Sequence, residues 1–365
     1  AQMGPGAATY YSNDAGGQAG GGFAWMYQKG NPNLKSEKAD TWTAGFVFTS
    51  RSDNPWLRGF SAAVDWWKVD IEDAIQQYSI DYARWLCYGA GGLVSTPAEA
   101  AARAATPECQ NVGRDQTNGG TTTVLLAYDN MATISTSGID IALNWTGALS
   151  ELGFGNAPGR LGFNVRTTIL DYYKTKTSPL DFDVETDWKG TLGPTLTGTN
   201  GGAYDFRLNA GLSYFLNNKS VSLRWRYLPS VWGAGKGTEN AIIANNKAVA
   251  AGEKEGIILS YTPSTAKKVK SYSVFDLSGS WDINSSLTLR AGIDNVFDIL
   301  PRITGATTGR PAGTDLSAVC SEAERALGCQ NPNSYSLPSS GSGTTSPGYY
   351  DVLGRRYFLG VKARF

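Results

Sequence analysis

The residues able to do chemistry are few, and what is missing decides more than what is present. None of the 365 residues is histidine, so Ser-His-Asp and Cys-His nucleophilic systems cannot be assembled, nor can an ordinary zinc site. Hydrolysis would have to rest on carboxylates. Asp181, Asp183, Glu185 and Asp187 form an alternating acidic run, a pattern open to a glycosidase-like carboxylate pair or to calcium, and equally to a solvated loop. No glycine-rich strand-to-helix turn and no phosphate loop supports nucleotide binding. No catalytic residue, metal or cofactor is therefore expected, and an enzyme is not.

Recognition chemistry is better represented. Tyr78, Tyr82, Arg84, Trp85 and Tyr88 crowd around Cys87, and Trp232 stands in a later irregular stretch. Flat rings beside charges can stack on sugars or aromatic chelators, although the same rings could simply pack loop against loop. Cys87 with Cys109 and Cys320 with Cys329 make two local pairs in polar, Gly/Ala-rich surroundings. Such pairs read as disulfides formed in an oxidising compartment, with free thiols as the alternative.

The elements that would position these residues are strands. Forty-four glycines, 11 tryptophans and 18 tyrosines accompany a hydrophobic fraction of 41%, and mean hydropathy is -0.27. No stretch approaches the ~18 consecutive apolar residues of a spanning helix, whereas barrel strands need only ~9–11 alternating residues. Lys+Arg and Asp+Glu balance at 32 each, which gives no net-charge footprint for nucleic acid.

Alternation with period two marks about nine strands. They fall over 41–48, 60–67, a segment ending at 145, 161–169, 204–214, 221–227, 275–282, 287–293 and 356–365. In the last, Tyr357, Leu359, Val361, Ala363 and Phe365 share one face, and Arg356, Gly360, Lys362 and Arg364 the other. Short connections near 51–58, 148–160, 217–219 and 284–286 alternate with excursions near 72–128, 176–202, 231–269 and 298–349. Helices are expected after the Thr96-Pro97-Ala98-Glu99 capping pattern and over Ser317 to Leu327.

That asymmetry fits an outer-membrane barrel with short periplasmic turns and long outer loops. Trp42, Trp66, Trp145, Tyr204, Tyr214, Trp225, Tyr227, Trp281 and Tyr357 sit where an interfacial girdle would put rings. Arg207, Arg224, Arg226 and Arg290 fall on the polar face and are expected to line a hydrated lumen, pairing with carboxylates such as Asp205 and Asp294. A soluble sandwich would instead bury the apolar face in a core.

Three motifs carry a family resemblance. Asn31-Pro32-Asn33-Leu34-Lys35, running into Glu37 and Thr41-Trp42-Thr43-Ala44-Gly45, resembles the NPNLKPE signature of TonB-dependent outer-membrane receptors, with Ser36 in place of proline. Ile293-Asp-Asn-Val-Phe-Asp298 is similar to that family's late NLFD strand end, and the terminal strand to its C-terminal signature. The resemblance implies a roughly 22-stranded, plugged barrel that imports a scarce nutrient. About nine strands without a plug imply the C-terminal part of such an all-β barrel, with 1–40 an extracellular loop region and 41–365 strands and loops.

Integral residence in the Gram-negative outer membrane is implied as well. So are contacts with membrane lipid, with a small-molecule nutrient such as an oligosaccharide or siderophore-iron, and with the inner-membrane TonB complex through the missing N-terminal region. Phe365 would be the signal for the barrel-assembly machinery. A passive substrate-specific porin and a soluble secreted lectin or glycosidase are the competing readings.

Overall fold

The structure, a computed structural model, describes residues 25–88, 102, 105–114, 121–180, 183–196, 199–200, 202–263, 268–304, 315–332, 345 and 348–364. In chain order the strands are β1 (Trp25–Lys29), β2 (Lys38–Thr49), β3 (Ser61–Gln77), β4 (Val112–Arg114), β5 (Thr121–Ala148) and β6 (Arg160–Lys176). They continue as β7 (Thr186–Asp187), β8 (Thr195–Leu196), β9 (Thr199–Asn200), β10 (Phe206–Leu216), β11 (Lys219–Leu228), β12 (Tyr272–Asp282), β13 (Leu287–Asp294) and β14 (Arg356–Ala363). One hydrogen-bonded path, β14-β13-β12-β11-β10-β6-β5-β3-β2, holds all the long strands. It is a meander in chain order, with the long and short connections in the expected alternation. Among the described residues, β2 and β14 end the path.

Contacts divide the chain into two units. The larger comprises Asp40–Asp70, Ile134–Lys176 and Leu180–Phe365. Its register aligns like with like. Phe163, Leu212, Leu223, Leu277, Ile293 and Tyr357 are successive partners across six strands. Most of that row is exposed, from Leu277 at 37% to Tyr357 at 71%. The buried residues, by contrast, include Asp276 and Asn295. A water-soluble sheet would bury the row and expose the carboxylate; this unit does the reverse, as a membrane barrel must.

The turns have local causes. Asn217 adopts a φ of 48° in the two-residue link between β10 and β11, a conformation that asparagine tolerates. β13 stops because Asn295 and Asp298 both enter the left-handed region, at φ 53° each. Asn295 is fully buried; its N–H donates to Asp276 Oδ1 at 3.0 Å and its side chain clasps the backbone of Ile299. The late motif of the sequence is thus a strand terminator locked to β12.

Several expected boundaries move. β3 and β5 run well into the excursion expected over 72–128. Tyr204 lies before β10, which starts at Phe206; just upstream, Ala203 pairs with Thr191 instead of with β6. The loop after β11 contains a helix, Ala234–Ala250, that lacks any side-chain cap and so left no start signal. The helix expected over Ser317 to Leu327 breaks into a 3-10 turn, Leu316–Ala318, and a helix, Glu322–Ala326, capped reciprocally by Ser321 and Glu324. The helix expected after Thr96 lies outside the described residues.

Those two loops dock on each other. Asn246, fully buried, donates to Leu259 O at 2.7 Å and Leu327 O at 2.8 Å and accepts from Leu259 N. Tyr261 packs with Cys320 and Cys329, whose disulfide forms as expected.

The smaller unit comprises Ala1–Ala39, Ile71–Thr133 and Thr177–Pro179. Within it β1, in a region expected to be loop, pairs in parallel with β5. The Asn31-to-Glu37 motif is a hydrogen-bonded corner. Asn31 Nδ2 donates to Tyr128 O at 3.0 Å, and Glu37 Oε1 accepts from Ile75 N at 2.7 Å. Asn130 completes it, accepting from Lys35 N and donating to Lys35 O and Asp73 O. Asp73 sits at φ 55°, where β3 irregularly leaves backbone groups to be satisfied by side chains. Asn130→Ala removes three such bonds at about 1 kcal/mol each. Hydrogen exchange should then accelerate at least tenfold at Lys35; unchanged protection would contradict the corner.

Candidate functional site

The polar face of the larger unit carries a cavity of about 360 Å³. Trp67 of β3, Tyr173 of β6, Tyr204, Arg207 of β10 and Tyr349 supply most of its rings and charge. The sheet brings Trp67 there by parity, since Asp65 and Trp67 alternate with the apolar Val64 and Trp66. Gly138 makes room for it, because a Cβ at that position would come within 2.6 Å of the indole. The indole Nε1 is buried and has no hydrogen-bond partner among the described residues.

Arg207 is held by rings and not by the expected carboxylate. Its guanidinium lies 5.1 Å from the Tyr349 ring centre and 5.5 Å from that of Tyr204, and Nη2 donates to Gly202 O at 2.7 Å. Tyr349 accepts from Gly202 N at 2.7 Å, and Tyr204 donates to the Tyr350 hydroxyl at 2.8 Å. Burial, then the bond to Tyr350, pushes the Tyr204 phenol up; burial does the same for Tyr350. Both phenols therefore stay protonated and able to donate. A neighbouring cavity of about 330 Å³ continues along this face past Arg207 to Arg166, Asp65 and Asp140.

Two of the other expected arginines, Arg224 and Arg226, share an ion network. Arg224 Nε and Arg226 Nε each donate to Asp276 Oδ2 at 2.9 Å, and Arg226 Nη2 donates to Oδ1 at 3.0 Å. Asp294 pairs with Arg356 at 3.4 Å, not with Arg290, which is exposed and has no ion-pair partner among the described residues. The register explains it: Asp294 faces Arg356 directly, whereas Arg290 faces Gly360.

The loop candidates divide. In the smaller unit Tyr78 donates to Asp129 Oδ2 at 3.0 Å and packs on Tyr82 with ring centres 4.8 Å apart. Tyr82 is only 8% exposed, so its ring is committed to packing, whereas Tyr78 is partly exposed. Arg84, Trp85 and Tyr88 belong to the helix Ile80–Tyr88, whose Cys87 is bonded to Cys109 as expected; their side chains lie outside the described residues. In the larger unit Trp232 is 37% exposed, its backbone fixed by Gly190 and Leu192 and its ring under the Lys268 ammonium at 5.8 Å.

The described members of the acidic run have separate partners. Glu185 pairs with Lys174 at 3.4 Å, and Asp187 accepts from the backbone of Tyr173 and Lys189. No cluster of metal-binding residues occurs among the described residues; Asp181 and Phe365 lie outside them. Sequence reasoning missed Trp67, Tyr173 and Tyr349. Only Trp67 left a signal, a large ring on an otherwise polar face.

Residues 2–296 match the family model described as TonB dependent receptor-like, beta-barrel. No curated protein matches. Among solved structures the chain resembles a single-site mutant of the ferric enterobactin receptor PfeA from Pseudomonas aeruginosa in complex with enterobactin, at 13% identity and TM-score 0.48, covering 94% of this chain and 34% of that one. The siderophore receptor PirA from Acinetobacter baumannii gives 14% identity and TM-score 0.44, covering 93% and 33%. The FrpB iron transporter from Neisseria meningitidis gives 15% and 0.41, covering 94% and 33%. The chain thus spans about a third of the length of the receptors it matches.

Replacing Arg207 with leucine removes the cation from both rings and its bond to Gly202. A loss of about 1–3 kcal/mol is expected in thermal unfolding of the detergent-solubilised receptor. Arg207→Lys should recover part of it, since the charge returns without the planar fork. Unchanged stability in the leucine variant would contradict the cradle.

Proposed function

This chain belongs to the TonB-dependent receptors, integral β-barrels of the Gram-negative outer membrane, and on that premise we propose that the complete protein is an energised importer of a scarce nutrient. The observation that carries the reading is the aromatic cradle around Arg207, which opens on the polar face while the opposite face is apolar and exposed. With the apolar face toward lipid, Arg207, Arg224, Arg226 and Arg290 face the lumen. Residues 41–365 are then barrel strands and loops, with 1–40 on the extracellular side.

Rings that offer flat faces beside hydrogen-bond donors suit a ligand with one planar or ring-shaped surface and a hydroxyl- or anion-bearing edge. Oligosaccharides and siderophore-bound iron both have that form. Trp232, and Tyr78 with the helix Ile80–Tyr88, are the loop surfaces proposed to meet it first. Transport requires binding and release and no catalytic step on the ligand. Energy would come from the TonB complex of the inner membrane, and Phe365 would be read by the barrel-assembly machinery.

Cells expressing the full-length receptor test this directly. Uptake of a labelled ferric siderophore or oligosaccharide should depend on the receptor and collapse with a protonophore, and deletion of Phe365 should lower receptor levels in the outer membrane. Receptor-dependent uptake that survives the protonophore would indicate a passive porin instead.

A further inference from the structure

The apolar face of β11 to β14 is not evenly filled. At one level across these strands stand Val221, Gly279, Ala291 and Leu359, paired in register. The two central positions contribute no side chain and one methyl group. Larger residues rise on both sides, Leu277 and Ile293 on one and Trp281 and Leu289 on the other. The result is an apolar groove of about 690 Å³, within the size range of small-molecule sites. A Cβ at Gly279 would meet Ser220 O at 3.2 Å, closer than ordinary contact, so the glycine both eases the approach of β11 and leaves the groove floor bare.

One end of the groove is charged. Lys219, next to the tight turn, holds its ammonium 5.1 Å from the Trp281 ring centre. No carboxylate lines the groove, and Lys219 makes no ion pair among the described residues. A tryptophan beside a cation at the end of a membrane strand marks the headgroup level, where the ring takes the apolar boundary and the ammonium an anion.

We propose that this groove is a binding site for a phospholipid, one acyl chain lying over Gly279 and Ala291 and the anionic headgroup on Lys219. Hydrocarbon surrounds the whole apolar face, and here the surface offers a chain contact from three sides, which multiplies its dispersion contacts. The anion contact makes the site selective, because a neutral groove would accept any acyl chain equally. The inference rests on the outer-membrane location of the family and not on the identity of the transported nutrient.

The test uses the full-length receptor, stripped of lipid in mild detergent and titrated with phosphatidylglycerol or phosphatidylethanolamine under native mass spectrometry. The wild type should retain one phosphatidylglycerol after the others are lost. Gly279→Leu with Ala291→Leu should abolish that retention by filling the groove. Lys219→Gln leaves the groove unfilled, so it keeps the test decisive if the filled variant fails to assemble; it should reduce the preference for phosphatidylglycerol about fivefold. Equal retention in the filled variant, an unchanged headgroup preference in Lys219→Gln, or a receptor dimer in place of bound lipid would each overturn the proposal.

Discussion

The pleat of the strand is the constraint on which everything else depends. Successive side chains point to opposite faces, so a single register error would turn an entire apolar row toward water. The observed pairing keeps Phe163, Leu212, Leu223, Leu277, Ile293 and Tyr357 in line across six strands. Backbone groups in this sheet find partners in the neighbouring strands, which is the condition for a β-structure to enter hydrocarbon. Because the apolar row takes one face, the arginines and carboxylates of the lumen network are driven to the other.

The polar face turns that necessity into order. Asp276 is nearly buried, yet it accepts from Arg224, Arg226 and the Asn295 backbone, so its charge is compensated from two directions. Removing any donor would leave a desolvated carboxylate, which is why such networks hold their geometry. The same carboxylate ties β11 to β12 and, through Asn295, fixes where β13 ends. Tyr349 and Tyr350, in the segment that leads toward β14, then complete the cradle around Arg207. Structure and recognition surface are thus built from one set of contacts.

Much of this was legible in the sequence, for a physical reason. Period-two alternation is a local property, so strands such as β11 and β13 could be read within a residue or two, and both disulfides followed from short cysteine spacing. Contacts fixed by tertiary geometry could not be read. Arg207 was expected to pair with Asp205, its near neighbour, but two tyrosines brought in by folding hold it instead. The helix Ala234–Ala250 begins without a cap, and Asn246, its buried anchor, has partners at 259 and 327 that no local pattern discloses. The corner around Asn130 lies between: the motif at 31–37 was visible, its hydrogen-bonding role was not.

The apolar face turned to lipid is the central claim, and spin labels placed singly along Tyr357 to Lys362 of the full-length receptor in bilayers test it most directly. Collision with oxygen, which partitions into hydrocarbon, should be high at Tyr357, Leu359 and Val361 and low at Phe358, Gly360 and Lys362, giving a period of two. Water-soluble quenchers reaching Tyr357, Leu359 and Val361 as readily as their neighbours would contradict it.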